Sequence, residues 1–231
     1  MKIKITTIPI FLIGVIFLII SCNKKDDFNY PPGTVGISKI IYFPLISIKG
    51  SRFLTITQGG SFVDPGVTAT LNGDTTNYTI TSSPAALDPN TPGVYTLTYT
   101  AKNAQGFTAS DWRMVVVVPS SVASDPIASK NDFSGTYLRA ATGVTSTWTK
   151  IAIGVYIVEN PGGAAAGAGN HAIVVNFSGN TVSIPSQLDP YFGGTISTSS
   201  ETYNAAATPV TYSWVFNAPN YGTSLRRFTK Q

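Results

Sequence analysis

The sequence predicts an all-β protein made of two small domains, and three observations carry that prediction. Charged residues are only 11% of the 231, well under the usual quarter of a globular chain. Thr, Ser, Gly, Asn and Ala take their place alongside 11 Tyr and 12 Phe, a mixture that pleated surfaces and tight turns select. Several segments alternate apolar and polar residues with a period of two, and none shows a 3.6-residue period. At 43%, hydrophobic residues suffice for packed interiors, and the length divides more naturally into two small domains than one large one.

Residues 1–21 read as an export leader. Lys2 and Lys4 precede an apolar run from Ile8 to Ile20, broken only by Pro9 and Gly14, and Ser21 and Cys22 follow. The order of charge, apolar core and small residue is that of a signal peptide, and the run is shorter than the roughly 20 residues that cross a bilayer. Cys22 is the single cysteine, so no internal disulfide can form. Ile19-Ile20-Ser21-Cys22 resembles the lipobox of bacterial lipoproteins, which implies an acylated Cys22 held in outer-membrane lipid. Several chains on one cysteine anchor durably where one chain holds only marginally. Asn23-Lys24-Lys25-Asp26-Asp27 is similar to the Lys and two acids that follow the cysteine in surface-exported lipoproteins of the Bacteroidetes. That implies a body facing the medium; the alternative is an ordinary charged tether on the periplasmic face. The tether, 22–36, continues through Tyr30-Pro31-Pro32-Gly33 without apolar periodicity.

Without the leader the chain carries 13 basic residues against 11 acidic. The densest basic cluster is Arg226-Arg227 with Lys230, too sparse for the phosphate contacts of nucleic-acid binding.

The first domain, 37–119, ends on Val115 to Val118 and Pro119. Tyr95, Leu97, Tyr99 and Ala101 alternate with Thr96, Thr98 and Thr100, as in a half-buried strand. Asn103-Ala104-Gln105-Gly106 predicts a hairpin turn, and Thr108 to Val118 a return strand with Trp112, Met114, Val116 and Val118 on one side. Asp64-Pro65-Gly66 and Thr91-Pro92-Gly93-Val94-Tyr95 are turn signatures, because proline presets the turn dihedral and glycine tolerates positive φ. Asp64 is accordingly read as a turn residue, since a calcium site needs six or more oxygens and few acids lie nearby. Gly60 to Ala69 together with Thr91 to Ala101 resembles the bacterial immunoglobulin-like domains of surface proteins. The resemblance implies an immunoglobulin-like β-sandwich serving as spacer or adhesive unit.

A linker, 120–132, contains Ser124-Asp125-Pro126. The second domain, 133–231, opens on Phe133 to Arg139 and continues in strand-like pieces: Thr145 to Val158, His171 to Phe177, Thr181 to Pro185, Thr195 to Ser199, Val210 to Asn217 and Thr223 to Lys230. Ser178-Gly179-Asn180 reads as a tight turn. About eight short strands must close or stack to hide their edges, giving a small antiparallel barrel or sandwich. The order of lipobox, immunoglobulin-like module and a β domain opening Gly135-Thr136-Tyr137-Leu138-Arg139, with Lys150-Ile151 and Gly154-Val155-Tyr156 in a later strand, resembles a group of Bacteroidetes surface lipoproteins. That group is encoded beside starch-utilisation-system type transporter pairs, and its C-terminal domain has no assigned chemistry. The stretch from Glu159 to Asn170 departs from the resemblance, which implies aromatic residues among the glycines; it reads as a flexible hairpin end.

Catalytic signals are sparse. His171 is the only histidine, which removes any His-paired metal site, and no Gly-x-Ser-x-Gly elbow marks a nucleophile. Phosphate-loop signatures are absent, and no cofactor is expected. A glycosidase needs two carboxyls flanking the scissile bond. Asp132, Glu159, Asp189 and Glu201 are the available acids in the second domain, and turn solvation is the simpler reading for them. The protein is therefore expected to be no enzyme. Sugar binding needs aromatic faces and nearby polar groups. Trp148, Tyr191, Phe192, Trp214 and Tyr221, with Asp189, are the candidate ligand residues, and Asn176, Gln187 and Asn220 are polar neighbours. Core packing is the competing reading for each aromatic. Tyr191-Phe192 in the turn-rich stretch Gln187 to Gly194 is the most suggestive pair. The expected partner is an oligosaccharide, passed to a transporter complex; the rival is a protein surface bound by an adhesive domain.

Overall fold

Hydrogen-bond demand and period-two burial organise the chain into sixteen strands among the described residues, with no helix long and apolar enough to cross a membrane. The computed structural model describes residues 34–35, 38–39, 41–71, 78–82, 87–122, 125, 131–164, 170–179, 181–189, 191–219 and 221–231. The expected leader, Cys22, the charged motif after it and most of the expected tether lie outside the described residues. In a first unit, 1–42, β1 (Thr34–Val35) pairs antiparallel with β2 (Ser38–Lys39). Everything that follows concerns the unit 43–231.

Its N-terminal part is an immunoglobulin-like sandwich. The strands are β3 (Leu45–Ile48), β4 (Phe53–Thr57), β5 (Val67–Thr70), β6 (Tyr78–Ser82), β7 (Gly93–Asn103) and β8 (Thr108–Val118). One sheet has the order β4-β8-β7-β6, with β4 parallel to β8 and the other pairs antiparallel; β3 and β5 form the facing pair. Between them Leu97, Tyr99 and Val115 pack with Val67, Ile46, Ile48, Leu54 and Phe62. The β7–β8 turn is held by Asn103, whose Oδ1 accepts the amides of Gln105 (3.1 Å) and Phe107 (2.8 Å), an Asx turn of the expected kind.

Asp64-Pro65-Gly66 does more than turn the chain. Asp64 Oδ1 accepts the Gly66 amide at 2.9 Å, and its carboxylate pairs with Arg113, a guanidinium 0% exposed in the middle of β8. Arg113 also donates to Ser51 O (3.0 Å) and to Lys49 O, while the Tyr99 hydroxyl donates to Asp64 at 2.8 Å. Burial, joined by the Asp64 bond and opposed by Arg113, pushes the Tyr99 hydroxyl up to about 12.

The C-terminal part is an eight-stranded antiparallel sheet curled into a barrel: β9 (Gly135–Arg139), β10 (Val144–Ala152), β11 (Val155–Glu159), β12 (His171–Val175), β13 (Gln187–Asp189), β14 (Gly194–Asn204), β15 (Thr211–Asn217) and β16 (Leu225–Lys230). The order β12-β11-β10-β9-β16-β15-β14-β13 leaves β12 and β13 as the two ends. Gln187 joins them. Its side-chain Oε1 accepts Ile173 N and its Nε2 donates to Ile173 O, both at 2.9 Å, so one amide side chain substitutes for a rung of backbone ladder. A bridge between Val175 and Ser183 extends the seam.

Two strand expectations change. The predicted strand Thr145 to Val158 is two strands, β10 and β11, folded at Ile153-Gly154. Gly154 has φ 69°, and a Cβ there would lie 2.3 Å from Asn176 O. Thr181 to Pro185 contributes one bridge residue, and the strand lies instead at β13, inside the stretch read as a loop.

The barrel interior is aromatic. Trp148 and Trp214 stack at 5.7 Å and 19°, and Tyr212 and Phe228 at 4.5 Å and 9°. Polar tips are paired: Trp148 Nε1 donates to Tyr212 OH (3.2 Å) and Trp214 Nε1 to Pro161 O (3.0 Å). Sandwich and barrel also share a third apolar cluster, in which Met114 and Val116 of β8 meet Val155, Ile173 and Val175. Strand β8 is thus buried on both faces, which explains the uninterrupted run from Met114 to Val117.

Candidate functional site

Because consecutive barrel strands are antiparallel, the β9–β10, β11–β12, β13–β14 and β15–β16 connections all leave the same end. That end collects Tyr191, Phe192 and Tyr221. Asp189 closes β13: its Oδ1 accepts the amides of Tyr191 (2.7 Å) and Phe192 (3.4 Å), shaping the turn that presents both rings. Tyr191 is 58% exposed at the tip. Behind it Phe192 meets Tyr191 edge-on at 5.2 Å and 87°, and meets Tyr221 at 5.4 Å and 79°. Phe216 supports Tyr221 from the core at 5.2 Å. The rings form a corner, with Tyr191 as its open face.

The floor of this corner is Pro161-Gly162-Gly163 of the β11–β12 connection. Gly162 is pressed so closely on Tyr221 that a Cβ would lie 2.6 Å from its ring, and a Cβ on Gly163 would lie 2.5 Å from Arg139 Cδ. Arg226 donates to Gly162 O (3.0 Å) and Tyr221 O (3.1 Å), and its guanidinium lies 4.2 Å from the Tyr221 ring centre. Arg139 donates to Gly163 O at 3.0 Å, as does Thr142 Oγ1. The described part of this connection, 160–164, is therefore not the free hairpin end expected. Its glycines are present because the backbone approaches the Tyr221 and Phe228 rings and the Arg139 Cδ methylene too closely for a side chain.

Burial draws Arg226 below the usual guanidinium value, with Arg139 acting the same way and Tyr221 opposing. Burial also raises the Tyr221 hydroxyl, against the pull of Arg226 and Arg139. Asp189, 2% exposed, has a carboxyl held above the ordinary range by burial, opposed by the Tyr191 and Phe192 amides and then by His171; its Oδ2 has no hydrogen-bond partner among the described residues. His171 Nε2 lies 3.6 Å from Glu159.

The candidate residues thus separate. Tyr191, Phe192 and Tyr221 come together with Asp189 beneath them. Trp148 and Trp214, at 2% and 0% exposure, are core residues; their place on the inner face of β10 and β15 removes their rings from any ligand, which corrects their inclusion. Gln187 and Asn176 are buried too, the former as the barrel clasp, and Asn220 and Cys22 lie outside the described residues. Arg139, Arg226, Gly162 and Gly163 were not singled out as site residues. The sequence holds their signals apart: Arg139 in the opening Gly-Thr-Tyr-x-Arg pattern, Arg226 in the densest basic cluster, and Gly162 and Gly163 in the glycine-rich stretch from Glu159 to Asn170. Among the described residues no group of three or more His, Cys, Asp or Glu could hold a metal ion. A second opening, a cleft of about 310 Å³, lies between sandwich and barrel and is lined by Thr98, Ser110, Asp111, Trp112, Leu188 and Gly193. Arg52 covers Trp112 at 4.7 Å there and bonds Asp111.

Residues 46–117 match a known family, described as a bacterial surface protein Ig-like domain. The match coincides with the sandwich and contains none of the barrel corner. No curated protein matches the chain. Among solved structures, the chain is similar to a lipoprotein from Bacteroides thetaiotaomicron, with a TM-score of 0.40 and 22% identity over 82% of this chain and 100% of that one. It is also similar to the M60 catalytic domain with CBM51-1 and CBM51-2 domains from Clostridium perfringens, with a TM-score of 0.29 and 18% identity over 60% of this chain but only 15% of that one.

Proposed function

We propose that this is a non-enzymatic lipoprotein, held in the outer membrane through acylated Cys22 and facing the medium, that captures the ends of glycan chains and passes them to a neighbouring transporter. The carrying observation is the exposed Tyr191 face on a turn fixed by Asp189, in a corner of loops. A single ring in a corner suits a terminal sugar better than the flat run of a long chain, since one aromatic face stacks on one sugar ring. The reading as a binder rather than a hydrolase is supported by Asp189, whose carboxyl is committed to its turn and shut away from solvent.

Purified residues 37–231 should bind at least one class of oligosaccharide on a broad array, and Tyr191→Ala should weaken that binding about tenfold, or roughly 1.4 kcal/mol. Failure to bind any oligosaccharide removes the glycan reading. The anchor is tested separately: Cys22→Ala should move the protein from the membrane fraction to the soluble one, and continued membrane fractionation would refute the lipid. The adhesive reading has support in exposed Phe43 and Leu45, at 60% and 68%, and would gain if a protein partner is lost on their substitution while sugars never bind.

A further inference from the structure

We infer that the corner selects glycans carrying a negative charge, a carboxylate or sulfate on the sugar held against Tyr191; this rests on the glycan reading of the same site. Arg139 and Arg226 meet over Gly162-Gly163, and their acceptors among the described residues are all backbone carbonyls, of Gly162, Gly163 and Tyr221. Among the described residues neither pairs with an acid. The ion pairs among the described residues lie elsewhere, at Arg52–Asp111, Arg113–Asp64 and His171–Glu159. The connections at this end, residues 140–143, 160–170, 190–193 and 218–224, contain no Asp or Glu, and the two acids at the adjoining strand ends are engaged elsewhere, Asp189 with the Tyr191 and Phe192 amides and Glu159 with His171.

This protein treats its other buried guanidinium differently. Arg113 is given Asp64, as a buried charge requires. Arg226 is 6% exposed and has only neutral acceptors, and the Nε atoms of both Arg226 and Arg139 are buried without a hydrogen-bond partner. Two like charges placed together at a loop end without a counter-charge create a local positive potential that an incoming anion relieves. The Nη2 group of Arg139 makes no hydrogen bond among the described residues, although its Nη1 is engaged. A guanidinium edge matches a carboxylate or sulfate edge geometrically. Tyr221, stacked on Arg226 and joined to Tyr191 through Phe192, puts that charge beside the aromatic face. One sugar can therefore stack and pair at once.

The test is calorimetric titration of residues 37–231 with oligogalacturonate and with its methyl ester, which keeps the ring and removes the charge. A second pair, a sulfated galactan oligosaccharide and its desulfated form, distinguishes carboxylate from sulfate. In one pair or the other the charged form should bind at least tenfold tighter. That preference should shrink with added salt, collapse in Arg139→Gln, and survive in part in Arg139→Lys, with circular dichroism confirming the fold of each variant. Equal binding of charged and neutral forms overturns the charge inference and leaves the glycan reading standing. A preference that persists unchanged in Arg139→Gln also overturns it. If neither charged nor neutral forms of these sugars bind, the charge inference falls, and the glycan reading falls with it only when the broad oligosaccharide array is empty as well.

Discussion

At the residue scale, Arg113 and Asp189 show what burial does to a charge with and without a partner. Arg113 satisfies Asp64 and three carbonyls from one side chain. Removing one member of a buried pair strands the other, at about 3–5 kcal/mol. Arg113→Met should therefore destabilise the protein by roughly 3 kcal/mol in urea unfolding, at the low end because Asp64 keeps some exposure. Asp189 is the opposite case. Its folded value is raised, chiefly by burial, so its stabilising contribution is complete below the unfolded carboxylate value and is lost as pH rises through the interval up to the folded one. Asp189→Asn keeps the oxygen that caps the turn and removes the charge. The variant should gain thermal stability relative to the native protein on going from pH 3 to pH 7; a constant difference in melting temperature across that range would contradict the assignment.

At the element scale, barrel closure depends on a side chain. Gln187 bonds both backbone groups of Ile173 and also Pro185 O at 3.1 Å. Gln187→Ala leaves Ile173 N–H and C=O buried and unmet, each at about 1–3 kcal/mol. The expected result is a loss of roughly 2–4 kcal/mol, with faster hydrogen exchange confined to β12 and β13. Exchange spread evenly over the barrel would argue against a local clasp. Gly162 is the second element-level constraint. Gly162→Ala drives a methyl into Tyr221, so the ring must move and binding at the corner should fall while the barrel melts almost unchanged.

At the scale of the whole molecule, the sandwich and barrel are coupled by apolar burial rather than merely joined by a linker. Met114 and Val116 face Val155, Ile173 and Val175, and Thr96 Oγ1 donates to Leu188 O at 3.2 Å. Residues 43–231 should unfold in one transition. Met114→Lys, which buries a charge without a partner, should separate it into two calorimetric transitions. A single transition in the variant, merely shifted, would show that the interface does not couple the halves.

Much of the architecture is local in origin and was legible beforehand. Period-two alternation in Tyr95 to Ala101, the Asp-Pro-Gly and Asn-Ala-Gln-Gly turns and the absence of helical periodicity specify strands and turns because they act over a few residues. The exposed Tyr191-Phe192 turn was legible for the same reason. The expected leader, residues 1–21, rests only on the linear order of charge, apolar run and small residue, and it lies outside the described residues. What alternation cannot say is which face of a strand looks inward. Trp148 and Trp214 became core through contacts such as Trp148 with Tyr212, 64 positions apart. Likewise the amide of Gln187 became a clasp, and Arg139 and Arg226 became a pair without an acid, only when the barrel closed. Local chemistry determined the strands, the turns and the expected anchor, whereas the corner was decided by tertiary structure, because charge balance and burial belong to neighbours that the sequence leaves far apart.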